Sequence, residues 1–179
     1  MSYIIAGLGN PGEEYEGTRH NTGRIILSYI GELKIGKEKV QIITPDTFMN
    51  NSGKAIVKFV KSVKAAEKLI VIYDDFNFPI GKIRISFNRS SGAHNGIESI
   101  IKSLKTEAFI RIRIGTAPEN AKGNAKVPYG EDKIEKFILG KFKDDEMKII
   151  KKVAKTVGEA IEVIVKEGRE KAMSIYNAG

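Results

Sequence analysis

The chain has 179 residues and a mass of 19.8 kDa, enough for one domain with a real core and short for two. It contains no cysteine, which excludes a disulfide framework, a thiolate nucleophile and a thiolate metal site, and no apolar run approaches the roughly 20 residues of a membrane span. Thirty Lys and Arg against 22 Asp and Glu give a net charge of +8, which favours an anionic partner such as nucleic acid. The excess is regional: residues 80–130 hold nine basic residues and three acids. With no signal pattern at the N-terminus, the expectation is a soluble cytoplasmic protein.

Taken in chain order, Ser2 to Ala6 suits a buried strand. A helix over about Thr22 to Leu33 follows, with Asn21 or Thr22 as cap. Val40 to Thr44 reads as a strand. Asn51-Ser52 then precedes apolar residues at helical spacing, Ala55, Ile56, Phe59, Val60 and Val63. Leu69 to Tyr73 (LIVIY) is the best central strand, and it runs into Asp74-Asp75. Lys82 to Phe87 and Phe109 to Gly115 alternate as half-exposed strands would, with arginine on the outward face. Asn95 to Leu104 between them is helical. Residues 116–130, rich in Gly, Pro, Asn and Lys, read as a surface loop, either a gate or a passive connection. A long amphipathic helix over about Asp144 to Glu167 and a short one near Arg169 to Tyr176 complete the chain. This alternation predicts a single α/β domain over residues 1–179, with a mostly parallel or mixed sheet between helices.

Gly7 to Gly12 (GLGNPG) fits G-x-G-x-x-G, but a dinucleotide site needs a helix opening at the third glycine and an acid at a strand end about 20 residues on. Here Gly12 is followed by EEYEGTRHN, whose glutamates repel phosphate, and Glu32 falls inside a predicted helix. The glycines are better read as letting backbone approach closely, while Asn10-Pro11-Gly12 turns and presents the Asn10 amide.

The chemistry-bearing residues are few. His20 sits in T-R-H-N and His94 in G-A-H-N-G, and their spacing matches no common zinc pattern. Asp74 follows the most apolar strand, at the end where α/β sheets gather functional groups. Beside His20 its carboxylate would fix the imidazole tautomer and raise its basicity, with water as nucleophile. The alternative is a plain turn at Asp74-Asp75. Asn10, Asn50 and Asn95 stand at element boundaries, where each is a cap, a turn former or a donor to water and an oxyanion.

In order, GLGNPGEEYEGTRHNTG (7–23), TFMNNSG (47–53), YDDFNFPIGKIRI (73–85), GAHNGIESII (92–101), FIRIRIG (109–115) and FILGKF (137–142) resemble the bacterial-type peptidyl-tRNA hydrolase family over nearly the whole chain. The resemblance implies a single-domain, three-layer α/β globule with a twisted mixed sheet flanked by helices, monomeric and without cofactor or metal. It also implies hydrolysis of the ester joining a peptide to the 3′ ribose of tRNA, the partner being tRNA carrying an N-blocked peptide. Carried onto this chain, His20 is the general base and Asp74 holds it. Asn10 orients the histidine and substrate, and Asn95 positions water or the oxyanion. Met49 and Asn50 bind peptide, and Tyr15 lines the same crevice. Arg113 falls on the tRNA-binding face, with Lys102, Lys105, Lys141 and Lys143 as neighbouring helpers.

The chain departs from that pattern in four places. The stretch from Leu33 to Val40 is short, which removes a strand or hairpin. Ser86 stands where lysine is common, Asn88-Arg89-Ser90-Ser91 replaces a glycine-rich loop, and Asn77 replaces an aspartate. The competing readings are a non-catalytic RNA-binding relative on the same fold and a nucleotide-binding module.

Overall fold

The computed structural model describes residues 2–179. Five strands form one sheet: β1 (Tyr3–Gly7), β2 (Val40–Ile43), β3 (Leu69–Pro79), β4 (Ile83–Phe87) and β5 (Ile110–Ala117), in the order β2-β1-β3-β5-β4. The first four in that order are parallel, and β4 joins the edge antiparallel to β5. Parallel strands are covered on both faces, so the central ones must be apolar throughout, and Leu69 to Tyr73 are all buried. On one face Ile5, Ile70, Ile72, Ile112 and Ile114 meet α1 (Thr22–Ile30), α6 (Asp144–Glu167) and α7 (Arg169–Tyr176). On the other, Ile4, Ala6, Val71 and Tyr73 meet α2 (Ser52–Ile56) and α4 (Asn95–Leu104). The result is the expected three-layer mixed α/β fold.

Most elements lie where the sequence puts them, and the differences have local causes. α1 stops at Ile30 because Gly31 turns out of the helix with φ 68. The predicted helix from Ala55 to Val63 is two short ones. α2 ends at Ile56, and α3 (Val63–Ala66) restarts at Ser62, whose hydroxyl accepts the Ala65 N–H. A helix missing from the sequence reading, α5 (Glu131–Ile138), carries Ile134, Phe137 and Ile138 at helical spacing, each only partly buried. Residues 31–39 cross to β2 with only an Ile35–Glu38 bridge and no strand of their own. Loop 118–130 is pinned by an Glu119–Ala125 bridge and by the Asn120 carboxamide, which accepts the Lys122 and Asn124 N–H groups.

The expected outward arginines are not outward. Arg111 has no exposed surface, and its guanidinium lies 4.1 Å over the Phe109 ring. Arg113 is largely buried, 4.9 Å over Phe78 and 3.3 Å from the Asp75 carboxylate. Arg84 donates to the Asn177 carbonyl. Asn177 also caps the free edge of β4: its carboxamide accepts the Ile85 N–H and donates to the Ile85 carbonyl, both at 2.8 Å. The middle of an otherwise open strand edge is thereby paired by one side chain.

Candidate active site

β1 leads through α1 on one face of the sheet, while the route out of β3 passes through α4 on the other. The crevice between their carboxyl ends is where the strand order reverses, the usual ligand position in such sheets. Glycines bring the walls together. A Cβ on Gly23 would overlap the Ile72 carbonyl oxygen and the Leu8 nitrogen, and one on Gly9 would come within 2.6 Å of Arg24. Within the G-x-G-x-x-G stretch, Gly7 and Gly9 are positions of close approach, a Cβ on Gly7 falling 2.4 Å from the Gly23 carbonyl oxygen, whereas Gly12 has room for a Cβ and serves the turn with φ 110.

His20 lies in a single 3-10 turn, Arg19–Asn21, just before α1 and is 6% exposed. Its Nδ1 is 2.9 and 3.0 Å from the two oxygens of Asp74, itself buried in β3. A carboxylate accepts only, so Nδ1 carries the proton and Nε2 keeps a basic lone pair. A second imidazole reaches the same carboxylate. His94 Nε2 is 3.0 Å from Asp74 Oδ1, while its Nδ1 accepts the N–H groups of Gly96 and Ile97 as the N-cap of α4. Those amides can only donate, so His94 is held with its proton on Nε2, donating to Asp74. The His20 and His94 rings stand 4.9 Å apart, and Tyr73 packs edge-on to His94 at 4.8 Å.

Burial favours a neutral Asp74, but the facing His20 and His94 and their hydrogen bonds outweigh it and hold the carboxyl well below its ordinary range. For His20, burial lowers the pKa while the Asp74 charge and hydrogen bond raise it, and the net shift is upward from 6.5. Burial pushes the Tyr73 hydroxyl up to about 12, so it stays neutral.

Asn10 is buried, not presented at a turn tip. Its backbone N–H donates to Asn21 Oδ1 and its carbonyl accepts from Asn21 Nδ2, at 2.8 and 2.9 Å. Asn21 therefore clamps the β1 loop and makes no side-chain cap to α1. Asn10 Oδ1 accepts the Met49 N–H at 2.7 Å, which leaves Nδ2 as the atom able to donate to a ligand. Met49 is buried, with Asn50 beside it carried into solvent. Tyr15 stands edge-on to Phe48, ring centroids 6.2 Å apart, and Phe48 is 53% exposed. Asn95 opens α4 next to His94 and is exposed.

The structure thus joins His20 and His94 through the Asp74 carboxylate and ties Asn10 to Met49, while Asn50 and Asn95 neighbour Met49 and His94 along the chain and Tyr15 packs on Phe48. Lys102 and Lys105 are exposed toward the far end of α4, about 12 and 16 Å along the axis from His94 at 1.5 Å per residue. Two participants were missed. The clue to His94 was its place one residue before a predicted helix, a capping position that fixes a tautomer. Nothing in the sequence marked Phe48 as exposed.

The peptidyl-tRNA hydrolase family model matches residues 4–179. The peptidyl-tRNA hydrolase of Caldanaerobacter subterraneus subsp. tengcongensis is 41% identical, covering 98% of this chain and 99% of that protein. That of Thermotoga petrophila is 39% identical over 98% of this chain and 97% of its own length. Among solved structures, the peptidyl-tRNA hydrolase of Acinetobacter baumannii superposes with a TM-score of 0.83 at 26% identity, covering 99% of this chain and 95% of that one. With nearly its whole length matched in sequence and in fold, this chain belongs to the peptidyl-tRNA hydrolase family.

Proposed function

We propose that this chain performs its family's reaction, hydrolysis of the ester joining a peptide to the 3′ ribose of tRNA, with His20 as general base and no metal. The observation that carries the mechanism is the buried His20–Asp74 pair at 2.9 Å, which leaves Nε2 as the only basic position of that ring. In this reading Nε2 takes a proton from water as the oxygen attacks the ester carbonyl. Asp74 stabilises the imidazolium that forms. Asn10 Nδ2 and the Asn95 carboxamide donate to substrate and to the developing oxyanion. Collapse of the tetrahedral intermediate releases the 3′ oxygen of tRNA, which takes the proton back from His20, and frees the peptide as an acid. General-base assistance of about 10²- to 10⁴-fold and an oxyanion donor worth about 10²- to 10³-fold suffice for an activated ester.

His20, Asp74 and His94 offer ligand atoms within 4.8 Å of one another, a spacing that a cation could bridge. The tautomer of His94 argues against that use, since its near nitrogen carries a proton and donates it to Asp74. The peptide is read as lying along Met49, Asn50, Tyr15 and Phe48. Sequence-independent, salt-sensitive affinity for tRNA comes from exposed cations such as Arg89, Lys102, Lys105, Lys141 and Lys143. Arg113, paired with Asp75, contributes through order at the strand end more than through a phosphate contact. We read the working unit as a monomer in the cytoplasm.

The test is release of N-acetyl-aminoacyl groups from tRNA with EDTA present, beside His20→Ala. Parent cleavage that the variant lacks supports the mechanism. Variant turnover within about tenfold of the parent removes His20 as base, because general-base catalysis is worth more. Salt-sensitive tRNA binding with no parent cleavage points to the RNA-binding relative instead.

A further inference from the structure

Apart from Lys141, read above as a tRNA-facing cation, the FILGKF segment (137–142) has no role in the reaction, yet its residues converge on Arg19, the neighbour of His20. Arg19 is 9% exposed. Its guanidinium stands 4.5 Å over the Phe137 ring and 5.5 Å over that of Phe142. Nη1 donates to the Phe137 carbonyl at 3.4 Å, and Nη2 meets Glu146 Oε2 at 3.3 Å. Gly140 leaves the space for this fork, since a Cβ there would lie 2.9 Å from Nη1. The backbones pair as well. The Arg19 N–H donates to the Gly140 carbonyl at 3.0 Å, the Phe142 N–H donates to the Gly17 carbonyl at 2.9 Å, and Thr18 bridges Lys141.

A three-residue 3-10 turn cannot hold a histidine in place alone, because nucleating a turn costs more order than its single hydrogen bond returns. The turn Arg19–Asn21 is instead held from both sides. Asn21 ties it to the β1 loop through Asn10, and Arg19 ties it to the corner between α5 and α6. That corner has its own anchor, because Glu146 Oε2 also accepts the Lys143 N–H and so caps α6.

We infer that Arg19 is a positioning residue: with Phe137, Gly140, Phe142 and Glu146 it forms a bracket that holds the His20 ring in register with Asp74. The inference rests on His20 being the base, and the experiment separates the two ideas. A planar, charged fork between two rings is specific to arginine, so lysine restores the charge and loses the geometry.

Kinetics on N-acetyl-aminoacyl-tRNA are compared for the parent, Arg19→Met, Arg19→Lys, Glu146→Gln and His20→Ala. Misplacing a reacting group by about 1 Å costs up to about 10²-fold, so Arg19→Met is expected to lower kcat by about 10- to 100-fold, with Arg19→Lys and Glu146→Gln in between. KM should stay within about twofold, since the bracket does not touch substrate. The chain has only two histidines, so the imidazole ¹⁵N resonances can be followed singly. The titratable groups against His20 are Asp74 and His94, both intact in the bracket variants. In Arg19→Met the His20 titration should fall back toward 6.5 and its proton should no longer be fixed on Nδ1. A purely structural arginine would lower the melting temperature and leave this titration unmoved.

Folded Arg19→Met and Glu146→Gln with kcat within about twofold of the parent, beside an inactive His20→Ala, overturn the bracket alone. Loss of cooperative folding in both also overturns it, making the bracket an element of stability. An active His20→Ala instead overturns the base on which it rests.

Discussion

Asp74→Asn separates a tautomer-setting carboxylate from a merely nearby one, and its outcome follows from three distances. His94 reaches only Oδ1, at 3.0 Å, whereas His20 Nδ1 spans both oxygens, 2.9 Å from Oδ2 and 3.0 Å from the Oδ1 it shares with His94. The proton of His94 is fixed on Nε2 by the α4 amides, so the asparagine must place its carbonyl oxygen where Oδ1 was. Its NH₂ then stands where Oδ2 was, facing His20 Nδ1. A donor there disfavours a proton on Nδ1, which is left only the Oδ1 position that His94 already occupies, so the His20 proton shifts toward Nε2 and the base loses its lone pair. Such a tautomer error costs about 10⁴-fold in a serine protease triad, so a fall in kcat of about 10³- to 10⁴-fold is expected, or about 4–5.5 kcal/mol of barrier. KM should change little.

The same geometry predicts a non-additive rescue. His94→Ser keeps a hydroxyl to cap α4 and removes the competing N–H. In Asp74→Asn/His94→Ser the asparagine can rotate and offer its oxygen to His20, so the double variant should turn over faster than Asp74→Asn alone. The assay is single-turnover release of N-acetyl-aminoacyl groups, beside ¹⁵N shifts that report the His20 tautomer. Asp74→Asn within about tenfold of the parent, or with His20 still protonated on Nδ1, would refute the reasoning.

The pKa directions fix the pH dependence. His20 is raised from 6.5, so kcat/KM should fall as pH drops through a midpoint above 6.5. In stability, the raised histidine contributes fully below 6.5 and is lost as pH rises through its folded pKa, while the lowered Asp74 contributes above 3.8 and is lost as pH falls below it. Urea midpoints should therefore show the pair's stabilisation greatest between those values, and Asp74→Ala should flatten the profile. For tRNA binding, Lys102→Ala and Lys105→Ala should each lower the slope of log affinity against log salt by up to about 1, and buried, paired Arg113→Ala should leave it unchanged. Filter binding across salt decides, and a larger slope change for Arg113→Ala would return that residue to the RNA face. Gly23→Ala forces a methyl onto two backbone atoms and should lower the unfolding free energy by about 3 kcal/mol or more, where a urea midpoint near the parent's would show that the seat can relax.

How much of this was legible follows from what periodicity encodes. Leu69 to Tyr73 announces a strand covered on both faces, and α4 and α6 announce an apolar stripe, so each lies where expected. α5 does place Ile134, Phe137 and Ile138 at helical spacing, but the record is only eight residues long and none of the three is fully buried. FIRIRIG shows the limit most clearly. Its alternation assigns Arg111 and Arg113 to one face of β5, and that assignment is right, because Ile110, Ile112 and Ile114 all enter the core on the other. What a period of two cannot say is whether the arginine face is wet. Phe109, Phe78 and Asp75 cover it, through contacts made by ring stacking and charge, and a hydropathy pattern carries neither. The site divides in the same way. His20 and Asp74, 54 residues apart, were read as a pair because one carboxylate ended the most apolar strand and one histidine needed a partner. The second histidine on that carboxylate was hidden, because its selection depends on which ring nitrogen the α4 amides occupy. That is a matter of hydrogen-bond direction, so a sequence reveals it only when a histidine at a helix start is treated as a group whose proton has already been assigned.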